Sequence, residues 1–147
     1  AISALKIVQA AALRLVRAEL RNRDTIASWD QLMAYLNAVL ARESTEQFRV
    51  LYLNNRNQLI EDAVLGLGTV NHTPVYPREV VKRALAYNSA ALILCHNHPS
   101  GSTEPSAADR KLTKLLQKAL DVVDVRVLDH IIVGDGDPLS MAEYGWL

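Results

Sequence analysis

The sequence predicts an α/β protein with a mixed β-sheet flanked by helices. Residues 90–95 form an apolar run without a charge, which is typical of a strand buried on both faces. Residues 48–53 and 58–64 form two further strand-like runs, and the polar segment 54–57 between them indicates a hairpin turn. Helix-type and strand-type segments alternate after this hairpin, and that order favours helices packed against a sheet.

Two helices are predicted before the hairpin. In the first, Leu5, Val8 and Leu15 follow helical spacing, and the helix is expected to end between residues 21 and 24. The second helix is predicted to begin after Ser28, a suitable N-cap residue. Three arginines line one side of the first helix, and we interpret them as a solvated face rather than a DNA contact. They are Arg14, Arg17 and Arg21.

The remaining elements follow the hairpin. Gly66 and Gly68 are expected to bracket a bend, Pro77 to lie in the first turn of a third helix, and Ser106 to open a fourth. A final strand is predicted near residues 125–133. The predicted buried faces of the two helices are Val80, Val81, Ala84 and Leu85 in the third, and Leu112, Leu115, Leu116, Ala119 and Leu120 in the fourth.

Two histidines and an aspartate follow the buried apolar run. Residues i and i+2 of a strand point to the same face, so His96 and His98 can reach one common point. Asp109 lies in the first turn of the helix that Ser106 opens. Two imidazoles and one carboxylate, with a fourth position left for water, are a usual ligand set of catalytic zinc. The sequence therefore predicts a metal site formed by His96, His98 and Asp109, although spacing alone leaves another divalent metal open.

The same serine and aspartate have a purely structural interpretation. Ser106 as N-cap and Asp109 at the third helical position form a capping box, which the helix dipole also favours. The two interpretations are compatible. Asp109 lies at the edge of the inward face of its helix, whereas the solvent side carries basic residues. These are Arg110, Lys111, Lys114 and Lys118.

The spacing of these residues resembles a known motif. His96-x-His98, seven residues, Ser106, two residues and Asp109 are similar to the JAMM metalloprotease motif of MPN/JAB domains. Three longer segments resemble the bacterial RadC family, and the resemblance extends from about Glu46 to the last residue. They are residues 76–80 (YPREV), 96–101 (HNHPSG) and 129–134 (DHIIVG).

The resemblance implies an MPN/JAB fold with a cytidine-deaminase-like layout for residues 25–147. It implies that residues 1–24 are the end of a preceding helix-hairpin-helix-like helical domain. One departure from the family is visible, because many members carry a histidine where this chain has Tyr76. That position is outside the metal motif, so the ligand assignment is unaffected.

The resemblance also implies a reaction. A JAMM-type zinc metallopeptidase cleaves an amide or isopeptide bond, with a glutamate before the first strand as general base. Glu46 occupies that place, and Ser106 is expected to help hold the tetrahedral oxyanion. The weaker candidates for the base are Glu61, Glu79 and Glu104. Two other histidines are not expected to bind metal, since His72 is predicted in a surface loop and His130 in a structural hydrogen bond.

Composition agrees with a small intracellular domain. Half of the 147 residues are hydrophobic, and the formal net charge is zero, which provides no general attraction to nucleic acid or an anionic membrane. The single cysteine, Cys95, excludes an internal disulfide framework. No apolar stretch approaches the roughly 18 residues of a transmembrane helix. We therefore expect a cytoplasmic protein without a membrane partner, acting on a peptide or protein of unknown identity.

The sequence leaves two other function classes open. The family name carries a DNA-repair association, so a nucleic-acid-binding protein or nuclease is one alternative. The zero net charge and the lack of a glycine-rich phosphate loop argue against it for this chain, although a missing N-terminal domain could bind DNA. A non-catalytic MPN scaffold is the second alternative, disfavoured because every ligand type is present. A zinc nucleoside deaminase would need further cysteine ligands. The oligomeric state is unknown.

Overall fold

The structure, a computed structural model, describes residues 2–22, 29–68 and 74–147. Four helices and five strands lie within these ranges. In chain order they are α1 (Ile2–Asn22), α2 (Trp29–Leu40), β1 (Gln47–Leu53), β2 (Leu59–Leu67), α3 (Pro77–Ala86), β3 (Ala91–Asn97), α4 (Ala107–Asp121), β4 (Arg126–Val133) and β5 (Leu139–Ser140). None of the described helices is both long enough and apolar enough to cross a bilayer.

The five strands form one sheet in the order β2-β1-β3-β4-β5. β1 is antiparallel to β2 and to β3, whereas β3 and β4 are parallel and β5 returns antiparallel to β4. A parallel pair needs a crossover connection, and α4 supplies it between β3 and β4. The predicted fold class, a mixed sheet flanked by helices, is therefore confirmed. The two-residue strand β5 was not predicted, because two residues carry no periodicity.

Every residue of β3 is buried, since helices cover both faces of the sheet at this strand. On one face Ile93 and Cys95 pack in a cluster with side chains of α2. On the other face Leu92 and Leu94 pack in a cluster with side chains of α3 and α4. Every second residue of a strand points to the same face, so His96 lies on this second face with Leu92 and Leu94. The metal-site residues thus lie on the α3/α4 side of the sheet.

Several details of the predicted elements were wrong. Gly66 does not flank a bend but lies inside β2, paired with Phe48 of β1. Leu85 and Leu115 are exposed instead of buried, because α3 and α4 each bury a narrower stripe than their apolar spacing suggests. The predicted N-cap Ser28 lies outside the described residues, as do residues 69–73, which include His72.

The interpretation of the first-helix arginines as a solvated face is wrong for Arg17. Its guanidinium donates to the Tyr35 hydroxyl oxygen at 2.9 and 3.2 Å, and Tyr35 in turn donates to Asp62. Arg49 donates to both carboxylate oxygens of Asp62, each at 3.0 Å. The side chain of Asp62 is fully buried, so two cations and a hydroxyl are needed to stabilise its charge. Arg14, in contrast, is exposed.

This buried network makes the stability of the fold sensitive to one hydroxyl. Tyr35→Phe removes the donor to Asp62 and the acceptor of Arg17, and we expect the free energy of unfolding to fall by about 1–3 kcal/mol in a urea titration. Tyr144→Phe is the matched control, since Tyr144 is 62% exposed, and its effect should stay within about 0.5 kcal/mol. Equal effects of the two substitutions would contradict the structural role of the network.

Candidate metal centre

Sheet register brings together residues that are far apart in the sequence. Phe48 near the start of β1 pairs with His96 near the end of β3, so these two strand ends meet at one edge of the sheet. Glu46 immediately precedes β1, and His98 immediately follows β3. Asp109 reaches the same edge from the first turn of α4. The predicted ligands and the predicted base therefore share one place in the fold.

The three predicted ligands have the mutual spacing of a metal site. The Nε2 atoms of His96 and His98 are 2.9 Å apart. Asp109 places Oδ1 at 3.3 Å from His96 Nε2 and Oδ2 at 3.0 Å from His98 Nε2. Tetrahedral coordination with bonds of about 2.05 Å requires donor atoms roughly 3.3 Å apart. The donor set and its spacing thus fit a small divalent cation.

Hydrogen bonding determines which nitrogen of His98 faces the other ligands. The Nδ1 atom lies 2.8 Å from the carbonyl oxygen of Ser102, which can only accept, so Nδ1 carries the proton. In the neutral ring Nε2 then presents a lone pair toward Asp109. A lone pair and a carboxylate facing each other repel unless a cation lies between them. The arrangement therefore favours a metal or, without one, a proton.

The pKa values of His98 and Asp109 are shifted in the directions that this arrangement predicts. The hydrogen bond to Asp109 raises the pKa of His98, although burial opposes the shift. Burial alone would raise the pKa of Asp109, but its contacts with the His96 and His98 imidazoles lower it well below its usual range. Asp109 is consequently ionised at any physiological pH, as a metal ligand must be.

A capping box fixes the Asp109 carboxylate. Its Oδ2 accepts from the Ser106 backbone N–H at 2.8 Å, and the Ser106 hydroxyl oxygen accepts from the Asp109 N–H at 3.0 Å. The structural interpretation of this pair is therefore correct, and it coexists with the position of Asp109 beside both histidines. The helix cap orients the carboxylate before any metal binds.

Glu46 belongs to the same group but lies slightly apart from it. Donor atoms of Glu46, His96, His98 and Asp109 all fall within 4.8 Å of one another. Glu46 Oε1 is 3.9 Å from His96 Nε2, farther than the other three donors are from each other. Glu46 therefore lies at the edge of the group.

Asn97, which sequence reasoning missed, holds the backbone around Glu46. Its side-chain oxygen accepts from Gln47 N–H at 2.7 Å, and its amide donates to the Thr45 carbonyl at 3.0 Å. Asn97 is 2% exposed, and it points to the sheet face opposite to His96. Its place between the two histidines hinted at a role, but only the β1–β3 pairing shows what it binds.

Two glycines close the loop that carries His98. Gly101 has a φ of +92°, a conformation that side chains disfavour, and its carbonyl accepts from Asp135 N–H. A Cβ on Gly134 would lie 2.4 Å from the Gly101 carbonyl oxygen. The two glycines of the HNHPSG and DHIIVG segments thus let the loop pack directly against the end of β4.

A cleft of about 640 Å³ opens in front of the group. Its described walls are the segment before α3, the loop after β3 and the start of α4, and they contain neither lysine nor arginine. Glu104 lines this cleft without joining the four-residue group. Glu61 lies within β2, opposite Tyr52, and Glu79 lies in the first turn of α3, so neither belongs to the group.

Comparison with known proteins agrees with the fold. Residues 26–146 match a family model described as a RadC-like JAB domain. The fold and the His-His-Asp group define the chain as a JAB-type domain. The protein belongs to the RadC-like JAB domain family, which confirms the resemblance seen in the sequence.

Two similar proteins are known as UPF0758 proteins. One, from Pseudomonas fluorescens (strain SBW25), is 62% identical over 143 residues, which is 97% of this chain and 64% of that protein. Another, from Vibrio vulnificus (strain YJ016), is 52% identical over 134 residues, which is 91% of this chain and 60% of that protein. The chain thus spans less than two thirds of the length of these relatives.

We expect one divalent metal ion per chain, bound by His96, His98 and Asp109. His96→Ala should abolish binding in elemental analysis of the purified protein, because two remaining ligands hold a cation weakly. Glu104→Gln removes a carboxylate from the same cleft but not from the group, so this control should keep its metal. Full occupancy in His96→Ala would place the site elsewhere.

Metal affinity should fall as the pH is lowered. Because the pKa of His98 is raised, the metal-free protein takes up a proton at Nε2 at a higher pH than an ordinary histidine would, and the metal must displace it. Affinity should therefore decrease about tenfold per pH unit for each displaced proton once the pH is below that pKa. Chelator competition at a series of pH values measures this. A constant affinity from neutral to mildly acidic pH would contradict the assignment of His98.

Proposed function

We propose that the chain is a zinc-dependent hydrolase of the JAMM metallopeptidase type that cleaves an amide or isopeptide bond. The observation that carries this proposal is the placement of Glu46 beside a three-ligand group, at 3.9 Å from His96 Nε2. A structural metal site is closed by four protein ligands, whereas a catalytic one keeps a position open. The greater distance of Glu46 from the other three donors supports a site of the second kind.

Zinc is the metal that suits this donor set best. Neutral imidazoles with one carboxylate are typical zinc ligands, and they are less suited to Mg²⁺ or Ca²⁺, which prefer oxygen. A bound zinc ion would act as a Lewis acid and would lower the pKa of a water molecule in its open position.

The protein residues would then handle the protons and the charge. Glu46 would accept a proton from the attacking water on its carboxylate and later deliver that proton to the leaving nitrogen. The Ser106 hydroxyl oxygen accepts from Asp109 N–H, so its own O–H can donate to the oxyanion that forms in the cleft. Both groups are held by backbone contacts, which limits the reorganisation that the reaction requires.

The cleft favours a peptide over a nucleic acid. Its described walls carry the carboxylates of Glu46, Glu104 and Asp109 and neither lysine nor arginine, which disfavours a phosphodiester backbone. Apolar surface from Val75 and Leu112 offers contacts for amino-acid side chains. The DNA-repair association rests on the family name alone, and partners of the whole protein are a separate question.

Glu46→Gln tests the proposal. Glutamine keeps the size and hydrogen bonding of the residue but accepts no proton, so zinc content should be unchanged while turnover of a peptide or isopeptide substrate found by library screening falls by about 10²-fold or more. Glu104→Gln is the matched control and should retain activity. An active Glu46→Gln enzyme would remove Glu46 as the base. A zinc-loaded wild-type protein that hydrolyses no library member would instead favour a non-catalytic scaffold.

A further inference from the structure

We propose that His130 and Thr113 are positioning residues that fix the tautomer of His96, so that its Nε2 lone pair faces the metal position. Neither residue is a member of the four-residue group of possible metal donors. The inference rests on the proposed metal site, and it assigns a role to a buried polar pair that the proposed reaction does not use.

The pair forms a continuous chain of short contacts behind His96. His96 Nδ1 lies 2.7 Å from His130 Nε2, and His130 Nδ1 lies 2.6 Å from the Thr113 hydroxyl oxygen. The same hydroxyl lies 2.7 Å from the backbone carbonyl of Asp109. Thr113 and His130 are both fully buried, so these contacts are their partners in place of water.

The available protons allow only one set of donor and acceptor roles along these hydrogen bonds. The Asp109 carbonyl can only accept, so the single hydroxyl proton of Thr113 goes to it. The Thr113 oxygen must then accept from His130 Nδ1–H. A neutral imidazole has one N–H, so His130 Nε2 accepts from His96 Nδ1–H, and His96 Nε2 is left with its lone pair.

The opposite set of donor and acceptor roles is unfavourable. If Thr113 donated to His130, its oxygen and the Asp109 carbonyl oxygen would lie 2.7 Å apart with no proton between them. A doubly protonated His130 is disfavoured as well, because the ring is fully buried and its two nitrogens face uncharged partners, the His96 imidazole and the Thr113 hydroxyl. The contacts therefore select one tautomer of His96.

The two histidine ligands are oriented by different means. His98 has a backbone carbonyl as the partner of its Nδ1, whereas His96 depends on a second imidazole whose own tautomer must be set. Thr113 sets it, and the chain ends on the backbone of Asp109, the third ligand. A change at Thr113 should consequently weaken metal binding although Thr113 binds no metal.

Zinc affinity measured by competition with a chromophoric chelator tests this. Thr113→Val keeps the branched shape without the hydroxyl and should weaken zinc binding by about 10- to 100-fold, whereas Thr113→Ser should stay close to wild type. Ser89→Ala is the control for losing a buried hydroxyl, because Ser89 lies before β3 and donates to the carbonyls of Leu53 and Ala91, away from the ligands. It should leave zinc affinity unchanged. Wild-type affinity in Thr113→Val would overturn the proposal.

The tautomer itself is the second readout. Nitrogen-15 NMR of the metal-free protein at mildly alkaline pH should show a proton on His96 Nδ1 in the wild type and a mixture of tautomers in Thr113→Val. A proton on His96 Nε2 in the wild type would overturn the proposal. This measurement needs neither zinc nor substrate. If the protein bound no zinc, the proposed function would be wrong, but the tautomer of His96 would still be decided by the NMR measurement.

Discussion

The antiparallel pairing of β1 with β3 is the constraint on which the site depends. It places the residue before β1 next to the residues that end β3, and so brings Glu46 to His96 across about fifty positions of sequence. Asn97 reinforces the junction, since it bonds the backbone on both sides of Glu46. Without this register a carboxylate and an imidazole pair would lie on unrelated parts of the surface.

Each functional side chain is held by an interaction that is also structural. A helix cap orients Asp109, a loop carbonyl orients His98, and the strand junction orients Glu46. Such double use explains why structural and functional interpretations of Ser106 and Asp109 were compatible from the start. It also means that the group is arranged before a metal binds, which reduces the reorganisation that binding would otherwise require.

The sequence predicted what depends on local pattern. The uninterrupted apolar run predicted β3. The alternation of side chains along a strand predicted that His96 and His98 lie on the same face of the sheet. The sequence did not reveal what depends on register or on contacts between elements. Gly66 looked like a turn residue because its strand partner was unknown, and Arg17 looked solvated because its partner, Tyr35, lies on another helix. The roles of the ligands and of Glu46 remain predictions that the geometry supports.

The buried Asp62 network and the metal-site histidines lie on opposite faces of the sheet. The buried Asp62 network joins α1, α2 and the β1–β2 pair on the face covered by α2, whereas the histidines lie on the face covered by α4. Substitutions in the Asp62 network should therefore change the free energy of unfolding with little effect on metal affinity, because ΔΔG values of distant sites with no shared partners are close to additive.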